Sequence, residues 1–340
     1  MEPLRPADPT ELGGIALRGR LGAGGMGTVY YGVTPDGEQV AVKTIRAELL
    51  EKPEARGRFD REMLVIGMVQ GSRVANLVAA SPPGEVPPWF AAEYVRGRTL
   101  SEYVTDFGPL QAGLAAALGL GLAEALAAIH EAGILHRDLK PGNILLGQDG
   151  PRVIDFGLAA LAESTGDITK TADTIGTPVC MAPEQARSAR DLSTAVDVYA
   201  LGAVLVFALT ARYPYARPSV PAMLLAIADP ATPPDLSGIP EALAGPVAAM
   251  LAHAPADRPG LDDVTAALAK ALADAGLTAP GEALRRLAEV TYREQPSDPP
   301  PPEPPVTRPP RIPKNPPVPS TLVTRIAQAV RAEYDRGARF

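Results

Sequence analysis

The sequence predicts an α+β fold in which short strands come first and long helices follow. Residues 15–17 and 29–31 are apolar and aromatic runs on either side of a glycine-rich stretch, which predicts a β-hairpin. Residues 40–43 alternate as a half-buried strand. Later in the chain, residues 110–129 and 200–211 are long apolar stretches that predict buried helices. The strands therefore belong to the first part of the chain and most of the helices to the rest.

The first element is the glycine-rich hairpin. Residues 21–30 read LGAGGMGTVY, a Gly-x-Gly-x-x-Gly run followed by valine. A glycine backbone can close over a triphosphate without Cβ clashes. A dinucleotide-binding turn has the same pattern, but it needs a helix starting at the last glycine, whereas a strand follows here. The hairpin is therefore a candidate phosphate-binding element.

The most informative stretch is the polar string HRDLKPGN at residues 136–143, followed by DFG at residues 155–157. Moving a γ-phosphoryl group from ATP to a hydroxyl requires mainly alignment and charge neutralisation. Asp138 can orient the attacking hydroxyl and accept its proton, and Lys140 can reach the γ-phosphate from the same loop. The two strings therefore predict phosphoryl transfer.

Two side chains in these strings are candidate metal ligands. Asn143 and Asp155 offer hard oxygen atoms, which suit Mg²⁺ better than a transition metal. Residues 147–150, GQDG, are a turn signal between two short apolar runs, which predicts a second hairpin. That hairpin is expected to bring Asn143 and Asp155 close together in space.

With these strings in this order, the chain resembles the bacterial eukaryotic-like (Hanks-type) serine/threonine protein kinases, and Lys140 after the aspartate points to the serine/threonine branch. The resemblance covers residues 12–275. It implies a bilobal protein kinase fold, with a small, mainly antiparallel β lobe that carries one key helix, a large, mainly helical lobe, and an ATP cleft between them. The expected N-terminal segment, small lobe, hinge and large lobe are residues 1–11, 12–92, 93–97 and 98–275.

The resemblance implies that Lys43 binds the α- and β-phosphates and that a glutamate on a nearby helix holds it in place. A helix is predicted around Glu62, which is the expected partner. Glu51 and Glu54 are rivals, but they flank Pro53, which is a poor residue for a helix interior. The expected catalytic residues are Asp138, Lys140, Lys43 and Glu62.

Residues 89–97 resemble the last strand of the small lobe running into the hinge. Adenine is then expected to hydrogen-bond to backbone groups of Glu93 and Val95. Ala92 takes the position that guards the pocket behind adenine, where most kinases carry a bulkier side chain, so an enlarged back pocket is expected. The expected nucleotide-binding residues are Leu21, Gly22, Gly24, Gly25, Gly27, Val29, Ala41, Lys43, Glu93, Val95 and Leu145.

The resemblance also implies a regulated activation segment that ends at residues 182–184, Ala-Pro-Glu. Arg137, directly before the catalytic aspartate, is expected to face a phosphate on this segment and so to order it. Related bacterial receptor-like kinases carry a Thr-x-Thr autophosphorylation pair at the position of residues 169–171. An unmodified threonine-rich loop is the alternative. The expected phosphosites are Thr169, Thr171 and Thr174.

Four further residues are expected to support the catalytic loop. Glu184 is expected to form an ion pair with a buried Arg258, although each would otherwise be interpreted as a surface charge. Asp197 is expected to hold the catalytic loop by accepting backbone hydrogen bonds. Thr177 is expected to contact the catalytic aspartate and lysine. These four roles rest on the resemblance alone.

The composition limits which other functions and partners are expected. A net charge of −7 gives no general basic surface, so nucleic acid is not an expected partner. The single cysteine excludes an internal disulfide, and the three histidines show no metal-ligand spacing. No signal peptide or transmembrane segment is predicted, because the long apolar stretches fit core helices. A soluble, cytoplasmic kinase is therefore expected.

The last part of the chain differs in composition. Residues 276–294 predict a helical extension, and residues 295–319 predict a stiff proline-rich linker. Residues 320–340 predict an amphipathic helix, whose apolar stripe is rarely left bare in water. The stripe could dock on its own kinase domain, on a partner or second copy, or on an anionic membrane, and a protein groove ranks above a membrane.

The function that follows is that of an ATP-dependent serine/threonine protein kinase that phosphorylates itself. ATP and Mg²⁺ are the expected cofactors, with Mn²⁺ as a substitute. The alternative is a pseudokinase-like ATP-binding interaction or scaffold module, but every residue whose loss usually marks a pseudokinase is present. Proteins with serine or threonine are the expected substrates. Forkhead-associated domain proteins and a homodimer are the candidate partners.

Overall fold

The small lobe, the large lobe and most of the cleft between them are described by a computed structural model of the chain. It describes residues 1–24, 27–46, 53–155, 178–189, 191–277 and 279–293, without the side chains at 53–55, 58 and 62. Several predicted features lie outside these residues: Gly25, Thr169, Thr171, Thr174, Thr177, the linker at 295–319 and the helix at 320–340.

The small lobe is built on a six-stranded sheet whose neighbouring strands are all antiparallel, in the order β1-β2-β3-β4-β6-β5. Along β4, Val40 and Val42 are buried in the apolar core of the sheet, whereas Ala41 and Lys43 alternate to the opposite face. This alternation turns Lys43 towards the cleft. The strands are β1 (Glu11–Leu12), β2 (Ile15–Gly24), β3 (Gly27–Val33), β4 (Gln39–Ile45), β5 (Leu77–Ala80) and β6 (Trp89–Glu93).

One helix of the small lobe, α1 (Pro53–Ile66), contains the predicted apolar face. Phe59, Met63 and Ile66 are all buried. Glu54 belongs to this helix, contrary to the prediction, because Pro53 is the first residue of the helix and not an interior one. Proline is well tolerated there, since the first N–H groups of a helix have no intrahelical acceptor.

The large lobe begins where the hinge ends. Its small sheet has the order β7-β8-β9, and the turn at Gly147↔Gly150 joins β8 to β9 as predicted. Helices α3 and α5 lie at the centre of the lobe, where most of their residues are buried. The elements are β7 (Arg98–Thr99), β8 (Ile144–Gly147), β9 (Gly150–Val153), α2 (Leu100–Phe107), α3 (Ala112–Glu131), α4 (Pro183–Ala186), α5 (Ala195–Thr210), α6 (Val220–Ala228), α7 (Glu241–Met250), α8 (Leu261–Asp274) and α9 (Pro280–Thr291).

Helix α3 is the one helix of the described chain that is long and apolar enough to cross a membrane by length and composition. Within its most apolar window, 72% of the residues are buried inside the lobe. Such burial is typical of a core helix, whose apolar side chains pack against protein rather than lipid.

Helix α9, predicted as an extension beyond the kinase domain, packs on α3. Its residues Ala283 and Leu287 belong to the main apolar core. The approach is close at Gly121 of α3, where a Cβ atom would lie 2.7 Å from Pro151 Cγ and 3.0 Å from Leu284 Cδ2. The inner face of α9 is therefore part of the large-lobe core, whereas its outer face is exposed.

Candidate active site

A cleft of about 310 Å³ lies between the small-lobe sheet and the large lobe. Its wall combines residues from both lobes and from the hinge, which positions a ligand where the lobes meet. Among the described residues, Gly24 and Gly27 lie in the hairpin above but do not line the cleft. Nine predicted residues do line it: Leu21, Gly22, Val29, Ala41, Lys43, Glu93, Val95, Leu145 and Asp155.

The glycine-rich hairpin is formed by β2 and β3, with Gly24 paired to Gly27. Residue 27 must be glycine, because a Cβ atom there would lie 1.7 Å from the backbone oxygen of Thr44 on β4. At Gly22 and Gly24 a Cβ atom would meet no atom of another described residue within 4 Å, apart from the chain neighbours. The space beside these two glycines is therefore open, as a backbone cradle for phosphate requires.

Lys43 and Asp155 form an ion pair at the back of the cleft. Lys43 Nζ lies 2.8 Å from Asp155 Oδ2, and the two side chains are 12% and 33% exposed. Asp155 has a left-handed backbone (φ 59°), which is rare for a residue other than glycine and is found at functional sites. The expected partner of Lys43, Glu62, has a side chain outside the described residues. A partly buried cation and a carboxylate thus face the space below the hairpin.

The catalytic loop brings three predicted residues together. Asp138 Oδ2 accepts a hydrogen bond of 2.7 Å from Lys140 Nζ and one of 3.1 Å from Asn143 Nδ2. The same amide donates to the Asp138 backbone oxygen at 2.8 Å. The β8–β9 hairpin connects this cluster to Asp155, because the Ile154 N–H donates to the Asn143 backbone oxygen at 3.0 Å. Acid, cation and amide are therefore held in one loop beside the cleft.

Asp197, fully buried on α5, holds the backbone of this loop. Its two carboxylate oxygens accept the N–H groups of His136 at 2.9 Å and Arg137 at 2.8 Å. Arg137 itself has a left-handed backbone (φ 63°), a strained conformation that these bonds stabilise. His130 Nε2 also lies 2.8 Å from Asp197 Oδ2. This contact was not predicted, because His130 lies on α3 with no motif around it.

A second residue missed from the sequence is Gln185 on α4. Its amide donates to the Arg137 backbone oxygen at 2.9 Å, and its side-chain oxygen accepts the Ala182 N–H at 3.1 Å. Gln185 therefore joins the end of the activation segment to the residue directly before Asp138.

Next to it, Glu184 and Arg258 form a two-point ion pair, with N···O distances of 2.6 and 2.8 Å. The Arg258 side chain is fully buried, donates to three backbone carbonyls, and lies 4.9 Å from the centre of the Tyr199 ring. Nearby, burial raises the pKa of the Cys180 thiol, so this cysteine is neutral at physiological pH. The pair anchors α4 to the large-lobe core.

The hinge connects β6 to β7 and contributes backbone groups to the cleft. The Glu93 N–H already donates to the Asn76 backbone oxygen at 3.0 Å, which leaves its carbonyl as the group for a ligand. The Glu93 side chain is held by Arg152 of β9, a contact that the sequence did not indicate. Gly97 (φ 135°) is required because a Cβ atom would lie 2.3 Å from the Leu146 backbone oxygen.

The cleft extends past Ala92 towards α1, where Ile66, Leu77 and Phe90 line it. We expect Ala92→Met to weaken binding of inhibitors with bulky groups that enter this space. The longer side chain would fill it, whereas ATP turnover should stay near wild type because the hinge backbone is unchanged. Inhibitor dissociation constants and the KM for ATP would be measured together. An equal loss of both would contradict the assignment of Ala92.

Comparisons with known proteins agree with this geometry. The Protein kinase domain family matches residues 15–268. The chain is 41% identical over 291 residues to the serine/threonine-protein kinase AfsK of Streptomyces coelicolor, covering 85% of this chain and 36% of that protein. It is 41% identical over 268 residues to the probable serine/threonine-protein kinase PkwA of Thermomonospora curvata, covering 79% and 35%. The chain spans about a third of the length of these relatives.

A solved structure has the same fold. The PknI kinase domain of Mycobacterium tuberculosis superposes with a TM-score of 0.64 at 26% identity, covering 80% of this chain and all of that one. The protein kinase class is defined by a β lobe, a helical lobe and, between them, a cleft that carries these polar groups and is covered by a glycine-rich hairpin. The chain belongs to the protein kinase family, in its bacterial serine/threonine branch. The α+β, bilobal prediction is thereby confirmed, and the family uses ATP, a divalent metal and protein substrates.

Proposed function

We propose that the chain is an active, ATP-dependent serine/threonine protein kinase. The observation that carries this proposal is the arrangement of Asp138, Lys140 and Asn143 in one hydrogen-bonded cluster beside the Lys43–Asp155 pair. Lys43 and Asp155 line the cleft and supply a cation and a carboxylate. The loop beside the cleft supplies a base, a second cation and an amide oxygen from Asp138, Lys140 and Asn143. Phosphoryl transfer needs this combination, because charge develops on the transferred group.

Each residue then has a role at a stated atom. Lys43 Nζ neutralises the α- and β-phosphates, and Lys140 Nζ approaches the γ-phosphate. The carboxylate of Asp138 accepts the proton of the attacking hydroxyl while the new O–P bond forms and the bond to the β-phosphate oxygen breaks, releasing ADP. The carbonyl of Glu93 and the backbone of Val95 hold adenine.

The oxygen donors at the cleft fit a hard cation. Asn143 and Asp155 provide an amide and a carboxylate oxygen, which is the chemistry that Mg²⁺ prefers, and Mn²⁺ accepts the same ligands. When bound, the metal neutralises phosphate charge. The Lys43–Asp155 pair keeps the carboxylate in the cleft beside the space where phosphates would lie.

Transfer from γ-labelled ATP to a general protein substrate, followed by phosphoamino-acid analysis, tests the proposal. Label on serine or threonine that depends on added Mg²⁺ is the expected result. Nucleotide binding without any transfer would instead indicate a pseudokinase-like scaffold module. Label on tyrosine alone would contradict the serine/threonine assignment.

Autophosphorylation of the activation segment is part of the proposal. Arg137 lies directly before Asp138, and Gln185 links its carbonyl to the end of that segment, so an ordering phosphate would act on the catalytic loop. Mass spectrometry of the same sample should find phosphate on Thr169, Thr171 or Thr174. An active sample with all three unmodified would contradict this mode of activation.

Partners and location are proposals of the same kind. We expect forkhead-associated domain proteins to bind the phosphorylated threonines, and a homodimer to form through the small lobes. The cytoplasmic location and the roles of residues 295–319 and 320–340 remain predictions from the sequence.

A further inference from the structure

Residues 1–8, which we name the N-terminal clasp, lie on the outer edge of the glycine-rich hairpin. The Glu2 N–H donates to the Arg20 backbone oxygen at 2.9 Å, and the Arg20 N–H donates back to Glu2 at 2.8 Å. This two-bond bridge fastens the start of the clasp to β2, on the strand that leads into the glycines.

The other end of the clasp is fastened by a buried ion pair. Asp8 Oδ2 lies 3.1 Å from Arg20 Nε, and the side chains are only 7% and 12% exposed. Asp8 Oδ1 accepts the Tyr30 hydroxyl at 3.0 Å. The Arg5 backbone N–H, at 2.7 Å from Asp8, lowers the pKa of this carboxyl, so it is charged at neutral pH.

This network reaches both strands of the hairpin. Arg20 belongs to β2, and its guanidinium also approaches the Thr28 hydroxyl of β3 at 3.4 Å. Tyr30, likewise on β3, is held through Asp8. The clasp therefore ties together β2 and β3, the two strands that carry Gly22, Gly24 and Gly27, through residues other than these glycines.

The clasp also reaches the cleft. Met1 lines it together with Leu21, Gly22 and Val29, although Met1 belongs to no kinase motif. The contact is close because residue 19 is glycine: a Cβ atom there would lie 2.7 Å from Met1 Cγ and 2.9 Å from the Glu2 backbone oxygen. The sequence at this position thus permits the clasp to lie flat against β2.

We propose that the clasp is a positioning element of the nucleotide site. Met1 extends the apolar wall that a purine nucleoside triphosphate meets at the mouth of the cleft. The Asp8–Arg20 link holds the hairpin in the conformation that covers the phosphates. The inference rests on the proposed function only in that such a nucleotide enters this cleft.

Two variants of the full chain test the clasp from different sides. Asp8→Asn removes the charge that Arg20 faces. Gly19→Val displaces Met1 and Glu2, although residue 19 does not itself line the cleft. Asp235→Asn is the matched control, because it makes the same chemical change in the large lobe, in an ion pair with Arg212 (3.1 Å) whose side chains are about half exposed (52% and 50%). Thermal unfolding without nucleotide shows whether each variant is folded.

The measurements are the dissociation constant of Mg-ATP, from displacement of a fluorescent ATP analogue, and the separate KM and kcat. We expect Asp8→Asn and Gly19→Val to weaken ATP binding and raise KM about tenfold, with kcat nearly unchanged, because preorganisation of the hairpin is lost while the catalytic loop is intact. Asp235→Asn should match wild type. If the folded variants bind ATP as well as wild type, or better, the proposed role of the clasp is wrong, whereas the proposed kinase function is unaffected. A wild-type chain that binds no nucleotide overturns the proposed function and this inference with it.

Discussion

Asp138→Asn is expected to reduce kcat by about 10²–10⁴-fold, the usual contribution of a positioned general base. The amide keeps the size of the carboxyl and still offers an oxygen to Lys140, which lies 2.7 Å away in the wild type. It cannot accept the hydroxyl proton, and it no longer balances the lysine charge. Affinity for Mg-ATP should stay near wild type, because Lys43, Asp155 and the hinge are unchanged.

Asp149→Asn is the matched control for this variant. Asp149 is an exposed residue in the turn between β8 and β9, so the same chemical change there should leave kcat at the wild-type value. Initial rates of label transfer at saturating ATP would be measured for all three proteins. Equal rates in wild type and Asp138→Asn would remove Asp138 from the chemistry, and the proposed enzyme with it.

The parts of the site that follow from the sequence are those in which neighbours in the chain are neighbours in space. Asp138, Lys140 and Asn143 lie within six positions, so one loop conformation brings them together, and the short turn at 147–150 is enough to add Asp155. The strand with Lys43 is equally local, because its alternation alone turns the lysine to one face.

The missed contacts join residues that are far apart in the chain and belong to no motif. His130 meets Asp197 across 67 positions, and Gln185 meets Arg137 across 48. Their partners are set by how α3, α4 and α5 pack, which depends on the whole large lobe. The clasp was not predicted either, because residues 1–8 contain no motif that indicates the burial of Asp8 against Arg20.

The second large effect is expected at the ion pair between α4 and the large-lobe core. Glu184→Gln should lower the free energy of unfolding by about 3–5 kcal/mol, because it leaves the Arg258 charge buried without its counter-ion. The Arg258 side chain is fully buried, so water cannot replace the lost carboxylate. Denaturant-induced unfolding, monitored by circular dichroism, measures the change.

Glu289→Gln makes the same chemical change at a surface pair and serves as the control. Glu289 lies 3.8 Å from Arg285, and the two side chains are 67% and 70% exposed. Loss of this ion pair should therefore lower the free energy of unfolding by less than about 1 kcal/mol. Because Gln185 is next to Glu184 and bonds the Arg137 carbonyl, we also expect Glu184→Gln to lower kcat, whereas Glu289→Gln should not. If Glu184→Gln were as stable as Glu289→Gln, the three hydrogen bonds from Arg258 to backbone carbonyls would be enough to stabilise the buried guanidinium. In that case the pair would not be what anchors the end of the activation segment.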